Sequence, residues 1–171
     1  MEILWSPWRS KYIETFKDED KNKSNSCFLC DAALTKGKDK ELLVVHRNKL
    51  CFVILNKYPY NNGHSLIAPY RHVATLNELT DDELFELFNT TRITVTALQE
   101  IYNPNGYNIG INIGRVAGAG LPGHIHVHVV PRWNGDTSFT AVISDVKVVS
   151  QSLEDTQKIL SKTFLKIIES Q

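Results

Sequence analysis

The chain has 171 residues, 42% of them hydrophobic, and this length fits one domain that buries its own core. Nineteen Lys and Arg residues balance nineteen Asp and Glu residues, so the net charge of zero argues against nucleic acid or an anionic membrane as a partner. No apolar run approaches the roughly 20 residues of a membrane-spanning helix, and residues 1–9 lack the continuous apolar stretch of a signal peptide. These features predict a single cytoplasmic domain over residues 1–171.

Residues 42–69 contain three short runs that are typical of β-strands. They are Leu42–Val45, Cys51–Leu55 and Ser65–Ala68, and stretches rich in turn formers separate them. Short connections of this kind favour antiparallel pairing. Two further candidate strands follow later in the chain, at Tyr107–Ile113 and Ile125–Val130.

A long helix is predicted to begin after Thr80, because Glu83 follows three residues later in the pattern of a capping box. The residues that continue at helical spacing are Leu84, Leu87, Phe88, Thr91 and Val95. The turn formers of Asn103–Gly106 end this run, and the tail from Leu153 to Ile168 has the spacing of a closing amphipathic helix. The simplest fold is α+β, with one antiparallel sheet of about five strands and helices packed on it.

Two of the three cysteines form a pair with metal-ligand spacing, Cys27-x-x-Cys30. An odd number of cysteines suits a reducing compartment better than a disulfide framework. The pair needs two further ligands for a closed tetrahedral zinc site, and a metal-free pair of thiols or a redox pair are the alternatives. The third, Cys51, lies in an apolar run and is interpreted as a core residue.

Three of the six histidines lie within five residues, in the segment His124-Ile125-His126-Val127-His128. Side chains of a strand alternate between its faces, so these histidines are predicted to share one face at intervals of roughly 7 Å. That spacing lets neighbouring imidazoles contact one polyanionic ligand. Half-buried histidines without chemistry, or a metal site of three histidines on one strand, are the alternatives. The metal site is the less natural of the two, because same-face residues of an extended strand do not converge on one ion.

A glycine-rich stretch precedes these histidines and contains four glycines in residues 112–123. Glycine allows close backbone approach, and exposed N–H groups can form a concavity that binds anions. Most loops of this kind are only turns. Beside three histidines, however, the stretch supports a phosphate site.

The segment from His124 to Val130 resembles the His-φ-His-φ-His-φ-φ motif of the histidine-triad superfamily. Upstream, Asn56–Pro69 is similar to the second motif of that family, an asparagine followed by Gly63-His64 and a strand that ends in proline. The likeness covers roughly Cys27 to Trp133. It implies the family's antiparallel sheet, with a long helix and a C-terminal helix, and a homodimer in which two sheets join.

Further motifs resemble a bacterial branch with diadenosine tetraphosphate phosphorylase activity. They are Trp5-Ser6-Pro7-Trp8-Arg9 with Tyr12-Ile13, Tyr58-Pro59-Tyr60-Asn61, and Val130-Pro131-Arg132-Trp133-Asn134-Gly135-Asp136. They extend the likeness over nearly the whole chain, but they identify a branch of the family and not a reaction.

The resemblance implies a role for each histidine of the motifs. His126 attacks the α-phosphorus of an adenine nucleotide, a backbone carbonyl holds its other nitrogen protonated, and His128, His64 and His124 complete the catalytic set. The implied nucleotide-binding residues are Asn56, Asn112, Gly118, Gly120, His126 and His128. Relatives often carry a hydroxyl or amide just before the triad, and residues 119–123 offer none, so backbone N–H groups take that part.

The same resemblance suggests His72 and His124 as partners of Cys27 and Cys30 in a structural zinc site. Three functions stay open at this point. The nucleotidyl-histidine is resolved by inorganic phosphate, so that diadenosine tetraphosphate yields ADP and ATP, or by water, in a hydrolase of dinucleoside polyphosphates or nucleoside phosphoramidates. In the third, the chain is a catalytically silent nucleotide-binding protein, which the intact triad argues against.

Overall fold

The computed structural model describes residues 27–136 and 149–170, so the motif at Trp5–Ile13 lies outside the described residues. The helices are α1 (Phe28–Leu34), α2 (Asp81–Tyr102) and α3 (Leu153–Glu169). The strands are β1 (Val44–Arg47), β2 (Cys51–Leu55), β3 (Ser65–Pro69), β4 (Gly106–Ile111) and β5 (Val127–Arg132). Two short 3₁₀ helices, Leu76–Glu78 and Arg115–Ala117, lie in the connections.

The described strands form one antiparallel sheet in the order β1-β2-β3-β5-β4. This confirms the predicted α+β fold. β5 lies between β3 and β4, with Leu66 opposite His128 on one side and Gly110 opposite His128 on the other. The centre of the sheet therefore carries the last histidine of the predicted triad.

The strand predicted at Ile125–Val130 begins two residues later, at Val127. The reason is a change of partner, because the N–H of Ile125 donates to the carbonyl of Val73 (2.7 Å), which lies beyond the end of β3. His124 and His126 therefore precede the strand and enter it from a segment held by a different connection.

The two faces of the sheet are covered by different elements. Val53, Ile67, Val127 and Val129 pack against α2 and α3 in the larger core. Alternation along the strands places Phe52, Ile54, Leu66 and Ala68 on the other face, where they pack with residues of α1. His128 shares this second face, because it alternates with Val127 and Val129.

The predicted capping box of α2 is confirmed, with the Thr80 hydroxyl accepting from the N–H of Glu83 and the Glu83 carboxylate accepting from the N–H of Thr80. Only part of the apolar series faces the core, since Leu84 and Phe88 are 37% and 49% exposed. Small buried residues such as Ala97 let the helix approach the sheet closely instead. Within residues 27–136 and 149–170, every helix falls short of the length and apolarity that crossing a membrane requires.

Helix α1 is a feature that the sequence analysis did not predict. Cys27 is its N-cap residue, and its Sγ accepts from the N–H of Cys30 (3.4 Å). The Arg47 guanidinium donates to the carbonyls of Ala32 (2.8 Å) and Thr35 (3.0 Å) and so holds the end of the helix against the sheet. This short helix therefore fixes the position of the cysteine pair.

Candidate active site and metal cluster

The side chain of His126 is buried, and its tautomer is set by the backbone. Nδ1 lies 2.8 Å from the carbonyl oxygen of His124. A carbonyl only accepts, so Nδ1 carries the proton and Nε2 carries the lone pair. Burial lowers the pKa of His126, and the bond to the carbonyl opposes that shift. The geometry therefore presents a neutral imidazole with a nucleophilic Nε2.

His128 lies between His126 and His64. The ring centroids of His126 and His128 are 4.8 Å apart, and those of His64 and His128 are 5.2 Å apart. Burial, followed by the neighbouring His126, lowers the pKa of His128 to about 4. His128 is therefore neutral near pH 7, and only one of its ring nitrogens carries a proton.

The loop between β2 and β3 decides the tautomer of His64. The N–H of Tyr60 donates to Nδ1 of His64 (3.0 Å). The Asn56 amide reinforces this, because its oxygen accepts from the N–H of Tyr58 (2.9 Å) and its Nδ2 faces the same Nδ1 (3.4 Å). With Nδ1 accepting, the proton of a neutral His64 lies on Nε2.

The tautomer of His64 in turn orients His128. Nε2 of His64 lies 2.9 Å from Nδ1 of His128, so His64 donates and His128 accepts. The remaining proton of His128 then lies on its own Nε2. The site thus combines a lone pair on His126 with a hydrogen-bond donor on His128, as phosphoryl chemistry requires at an attacking group and at a developing negative charge.

Gly63 allows the tight turn that delivers His64 to the site. Its φ of +75° lies in the left-handed region, and a Cβ there would come within 2.9 Å of Leu98 Cδ2 and 3.3 Å of Tyr102 Cε2. Both the backbone conformation and the close packing against α2 therefore require glycine.

Nδ1 of His124 turns to the cysteines, away from the other histidines. Nδ1 lies 3.2 Å from Sγ of Cys27 and 3.5 Å from Sγ of Cys30, while Nε2 lies 2.9 Å from the carbonyl of Pro69. Because that carbonyl accepts from Nε2–H, the lone pair of His124 points at the sulfurs. The predicted row of three histidines on one face is therefore replaced by His64, His126 and His128, while the backbone carbonyl of His124 contacts His126 and its ring faces the cysteines with which the resemblance paired it.

Four potential ligand atoms, from Cys27, Cys30, His72 and His124, all lie within 4.8 Å of one another. Nδ1 of His72 is 3.1 Å from Sγ of Cys30. Zn–S bonds of about 2.3 Å and Zn–N bonds of about 2.0 Å in a tetrahedron separate the ligand atoms by about 3.3 to 3.8 Å, so these residues fit a zinc ion. The hydrogen bond from His124 to Pro69 is of the kind that orients histidine ligands in metal sites.

Asn112 and Gly118, two residues of the glycine-rich loop that are predicted to bind phosphate, form a hydrogen bond with each other. Nδ2 of Asn112 donates to the carbonyl of Gly118 (3.4 Å), across a turn in which Gly118 has a φ of +86°. Gly118 and Gly120 are exposed. The structure thus gives Asn112 a role in shaping the loop, and it leaves the loop glycines open to solvent.

One contact that supports the site could not be predicted from the sequence. The motifs Tyr58–Asn61 and Val130–Asp136 indicated a branch of the family. The structure shows that these two motifs touch, since Nδ2 of Asn61 donates to Oδ2 of Asp136 (2.8 Å). No periodicity or spacing signals that contact, because 75 residues separate the partners.

A family model of the HIT domain matches residues 38–135, which are more than half of the chain. The chain belongs to the HIT family. An AP-4-A phosphorylase from Mycobacterium tuberculosis is 41% identical to this HIT chain over 162 residues, covering 94% of the chain and 83% of that protein. A bis(5'-nucleosyl)-tetraphosphatase (asymmetrical) from Schizosaccharomyces pombe is 34% identical over 122 residues, covering 71% of the chain and 63% of that protein. Both are named as enzymes, which confirms the prediction of an enzyme.

Solved HIT structures share the fold of this chain. A Zn-bound histidine triad family protein from Mycobacterium smegmatis superimposes with a TM-score of 0.66 at 22% identity, covering 85% of this chain and 98% of that protein. A hypothetical histidine triad nucleotide-binding protein from Sulfolobus tokodaii superimposes with a TM-score of 0.65 at 26% identity, covering 82% and 93%. The predicted sheet with a long helix and a closing helix is therefore the HIT fold.

Proposed function

We propose that this HIT protein transfers a nucleotidyl group through His126 and catalyses the phosphorolysis of diadenosine tetraphosphate to ADP and ATP. The observation that carries the proposal is the hydrogen bond from Nδ1 of His126 to the carbonyl of His124, which leaves the lone pair on Nε2. The 41% identity to an AP-4-A phosphorylase, over 94% of the chain, supports phosphate as the acceptor.

In the first step, Nε2 of His126 attacks the α-phosphorus of the dinucleotide in line. A bond forms between nitrogen and phosphorus, and the bond from that phosphorus to the bridging oxygen breaks, which releases ATP. The carbonyl of His124 stabilises the positive charge that develops on the imidazole, because it already accepts from Nδ1–H. The Nε2–H of His128 donates to the phosphate or leaving-group oxygen on which negative charge develops.

In the second step, an oxygen of inorganic phosphate attacks the adenylyl group on His126. The nitrogen–phosphorus bond breaks, His126 returns to its neutral form, and ADP leaves. A covalent intermediate divides one difficult displacement into two easier ones. His126 and His128 act in both steps, because the second displacement reverses the geometry of the first. Water in place of phosphate converts the same intermediate to AMP, and the 34% identical tetraphosphatase supports this hydrolase as the alternative.

The nucleotide itself is bound by groups around the triad. We assign Asn56 to the ribose side, and Asn112 with the turn that contains Gly118 and Gly120 to the phosphates; the N–H of Gly118 closes that turn on the Arg115 carbonyl (2.9 Å). The partial burial of Asn56 beside His64 and the exposed turn at Gly118 support these places. His124 contributes to catalysis through its carbonyl, while its ring holds the metal.

The test of the reaction is turnover of diadenosine tetraphosphate with and without inorganic phosphate, with the products separated by ion-exchange chromatography. We expect ADP and ATP in equal amounts, and only when phosphate is present. In labelled phosphate, the label is expected in the β-position of ADP alone. Phosphate-independent release of AMP and ATP, or of two ADP, contradicts phosphorolysis, and the first of these products identifies the hydrolase.

We also propose that Cys27, Cys30, His72 and His124 hold a structural zinc ion. Its bonds tie α1 to the segment that begins with His124, and catalysis uses no open position on it. The distances among the four ligand atoms and the outer contact to Pro69 support this site. Thiolates that bind metal fit a reducing compartment, and we place the protein in the cytoplasm.

A homodimer in which two sheets join at β4 is the assembly that we propose. Among the described strands, β4 lies at one edge of the sheet, and its residues Asn108, Ile109 and Gly110 are exposed, whereas β1 at the other edge is buried or half-buried. An exposed edge with free N–H and C=O groups pairs readily with another strand.

The dimer is tested by light scattering after size-exclusion chromatography. We expect twice the chain mass for the wild type, and the mass of one chain for Ile109→Glu, because each of the two joined β4 strands then carries a new negative charge. Leu165→Glu is the matched control, since Leu165 is similarly exposed, at 55% against 50%, but lies on α3. A monomeric wild type, or an Ile109→Glu variant that stays dimeric, contradicts this interface.

A further inference from the structure

The carboxylate of Asp136 organises a hydrogen-bonded cluster outside the histidines. Its side chain is only 9% exposed, and it accepts from the Arg132 guanidinium through Nε (2.5 Å) and Nη2 (2.8 Å). It also accepts from Nδ2 of Asn61 (2.8 Å) and from the N–H of Trp133 (3.2 Å). We call Asp136, Arg132 and Asn61 the Asp136 clamp.

The clamp joins two segments that are distant in sequence. Asn61 is 8% exposed, and its Nδ2 donates one hydrogen bond to Asp136 and another to the carbonyl of Pro131 (3.1 Å). Both acceptors belong to the end of β5 and the turn that follows it. The loop of residues 58–63 is therefore held against the strand that carries His128.

The same loop carries the group that selects the tautomer of His64. The N–H of Tyr60, the neighbour of Asn61, donates to Nδ1 of His64 (3.0 Å), and the carbonyl of Asn61 accepts from the N–H of His64 (3.2 Å). Displacement of the loop lengthens both contacts. His64 then loses the shorter of the two donor contacts to its Nδ1, and the longer contact to Nδ2 of Asn56 (3.4 Å) is left to keep the proton on Nε2, facing His128.

We propose that Asp136 is a positioning residue, which holds the 58–63 loop through Asn61 and thereby keeps the Nε2 protons of His64 and His128 in place for nucleotidyl transfer. The proposal deepens the proposed function and rests on it for the consequence in turnover. The structural part, from Asp136 to the tautomers, stands on the contacts alone. A clamp of purely structural value lowers the melting temperature and leaves the tautomers and kcat unchanged.

The first measurement is made on the tautomers, in the full chain without substrate. Long-range ¹H–¹⁵N correlation spectra assign the protonated nitrogen of each imidazole. We expect Nε2–H for His64 and His128 in the wild type and mixed tautomers for both in Asp136→Asn. That substitution keeps the size of the side chain, but it removes the charge and can turn an NH₂ group towards Asn61.

The second measurement is steady-state turnover of diadenosine tetraphosphate with phosphate. We expect kcat to fall about 10- to 100-fold in Asp136→Asn, as small misplacements of catalytic groups do, with KM within about threefold. Asp155→Asn is the control, because the Asp155 carboxylate accepts from the hydroxyl of Ser152, the N-cap residue of α3 (2.8 Å), and lies outside the clamp. Its tautomers and kcat are expected to equal those of the wild type.

A second variant, Asn61→Ala, removes the hydrogen bond between Asn61 and Asp136 and leaves the ion pair of Arg132 and Asp136 in place. It replaces Asp136→Asn in both measurements if that variant does not fold. The same mixed tautomers and fall in kcat are expected. Folded variants with the wild-type tautomers overturn the proposal. If the wild type does not turn over the dinucleotide, the spectra still decide the clamp, so the two failures are distinguishable.

Discussion

The His126→Ala variant is expected to lose turnover of diadenosine tetraphosphate by about 10⁴-fold or more, because the only path through a nucleotidyl-histidine is removed. Binding of the nucleotide is expected to stay within about tenfold of the wild type, since the donor of His128 and the surrounding residues remain. Rates are measured by product separation and binding by calorimetry. Intact-protein mass spectrometry of the wild type, quenched in base, is expected to show the adenylyl adduct, which the variant lacks.

The matched control for this variant is His46→Ala. His46 is a half-buried histidine of β1 that stacks on Phe164 with ring centroids 5.3 Å apart, on the side of the sheet away from the triad. Its loss changes packing but removes no group of the site, so turnover is expected to persist. Retained turnover in His126→Ala contradicts the assignment of the nucleophile, whatever the acceptor of the second step.

The Cys27→Ser variant is expected to lose stoichiometric zinc and about 10 °C in melting temperature. Serine is smaller than cysteine, but its hydroxyl is a poor ligand for zinc, so the binding free energy that stabilises the folded chain is lost. Zinc held at about a thousand times its dissociation constant contributes about 4 kcal/mol, which corresponds to roughly this shift for a chain of this size. The metal is measured by atomic emission and the melting temperature by calorimetry.

Cys51→Ser is the control for the zinc site. Cys51 is also buried, but its thiol donates a hydrogen bond to Thr90, and it lies in the larger core, beneath α2 and α3. It is expected to keep one zinc per chain. A wild type purified without added metal that holds no zinc, or a Cys27→Ser variant with full zinc content, contradicts the site. Removal of zinc is also expected to lower turnover, since the ring of His124 then keeps its contact with Pro69 but loses the metal, which loosens the backbone carbonyl that holds Nδ1 of His126.

The physical link between the two centres is one residue, His124. Its ring reaches the cysteines and its carbonyl reaches His126, so the cluster of cysteines and histidines and the His126 imidazole share a backbone segment. Sequence patterns identify His124 as a site residue, but they do not show that its ring contacts the cysteines while its carbonyl contacts His126. Strict alternation predicted that His124 faces phosphate with the other histidines, whereas the contact of Ile125 with Val73 turns it towards the cysteines.

Much of the site could be predicted because its residues are close in sequence or belong to recurrent motifs. The alternation of His126 and His128, the Gly63-His64 pair and the Cys27-x-x-Cys30 spacing are local patterns that the chain carries on its own. The capping box at Thr80 and the amphipathic spacing after Leu153 are local as well, and both helices form where these patterns predict. Local patterns set elements, because hydrogen bonds and side-chain periodicity act within a few residues.

The sequence by itself determined the α+β class and the cysteine pair, and the resemblance carried by its motifs implied the family and the two histidine partners of that pair. Only the tertiary structure decided the tautomers, because each depends on a partner brought from elsewhere: Tyr60 for His64, His64 for His128, and the carbonyl of His124 for His126. The contact of Asn61 with Asp136 crosses 75 residues and leaves no trace in composition or spacing. Proton positions are properties of such pairs, and a pair is defined only when the sheet has brought its members together.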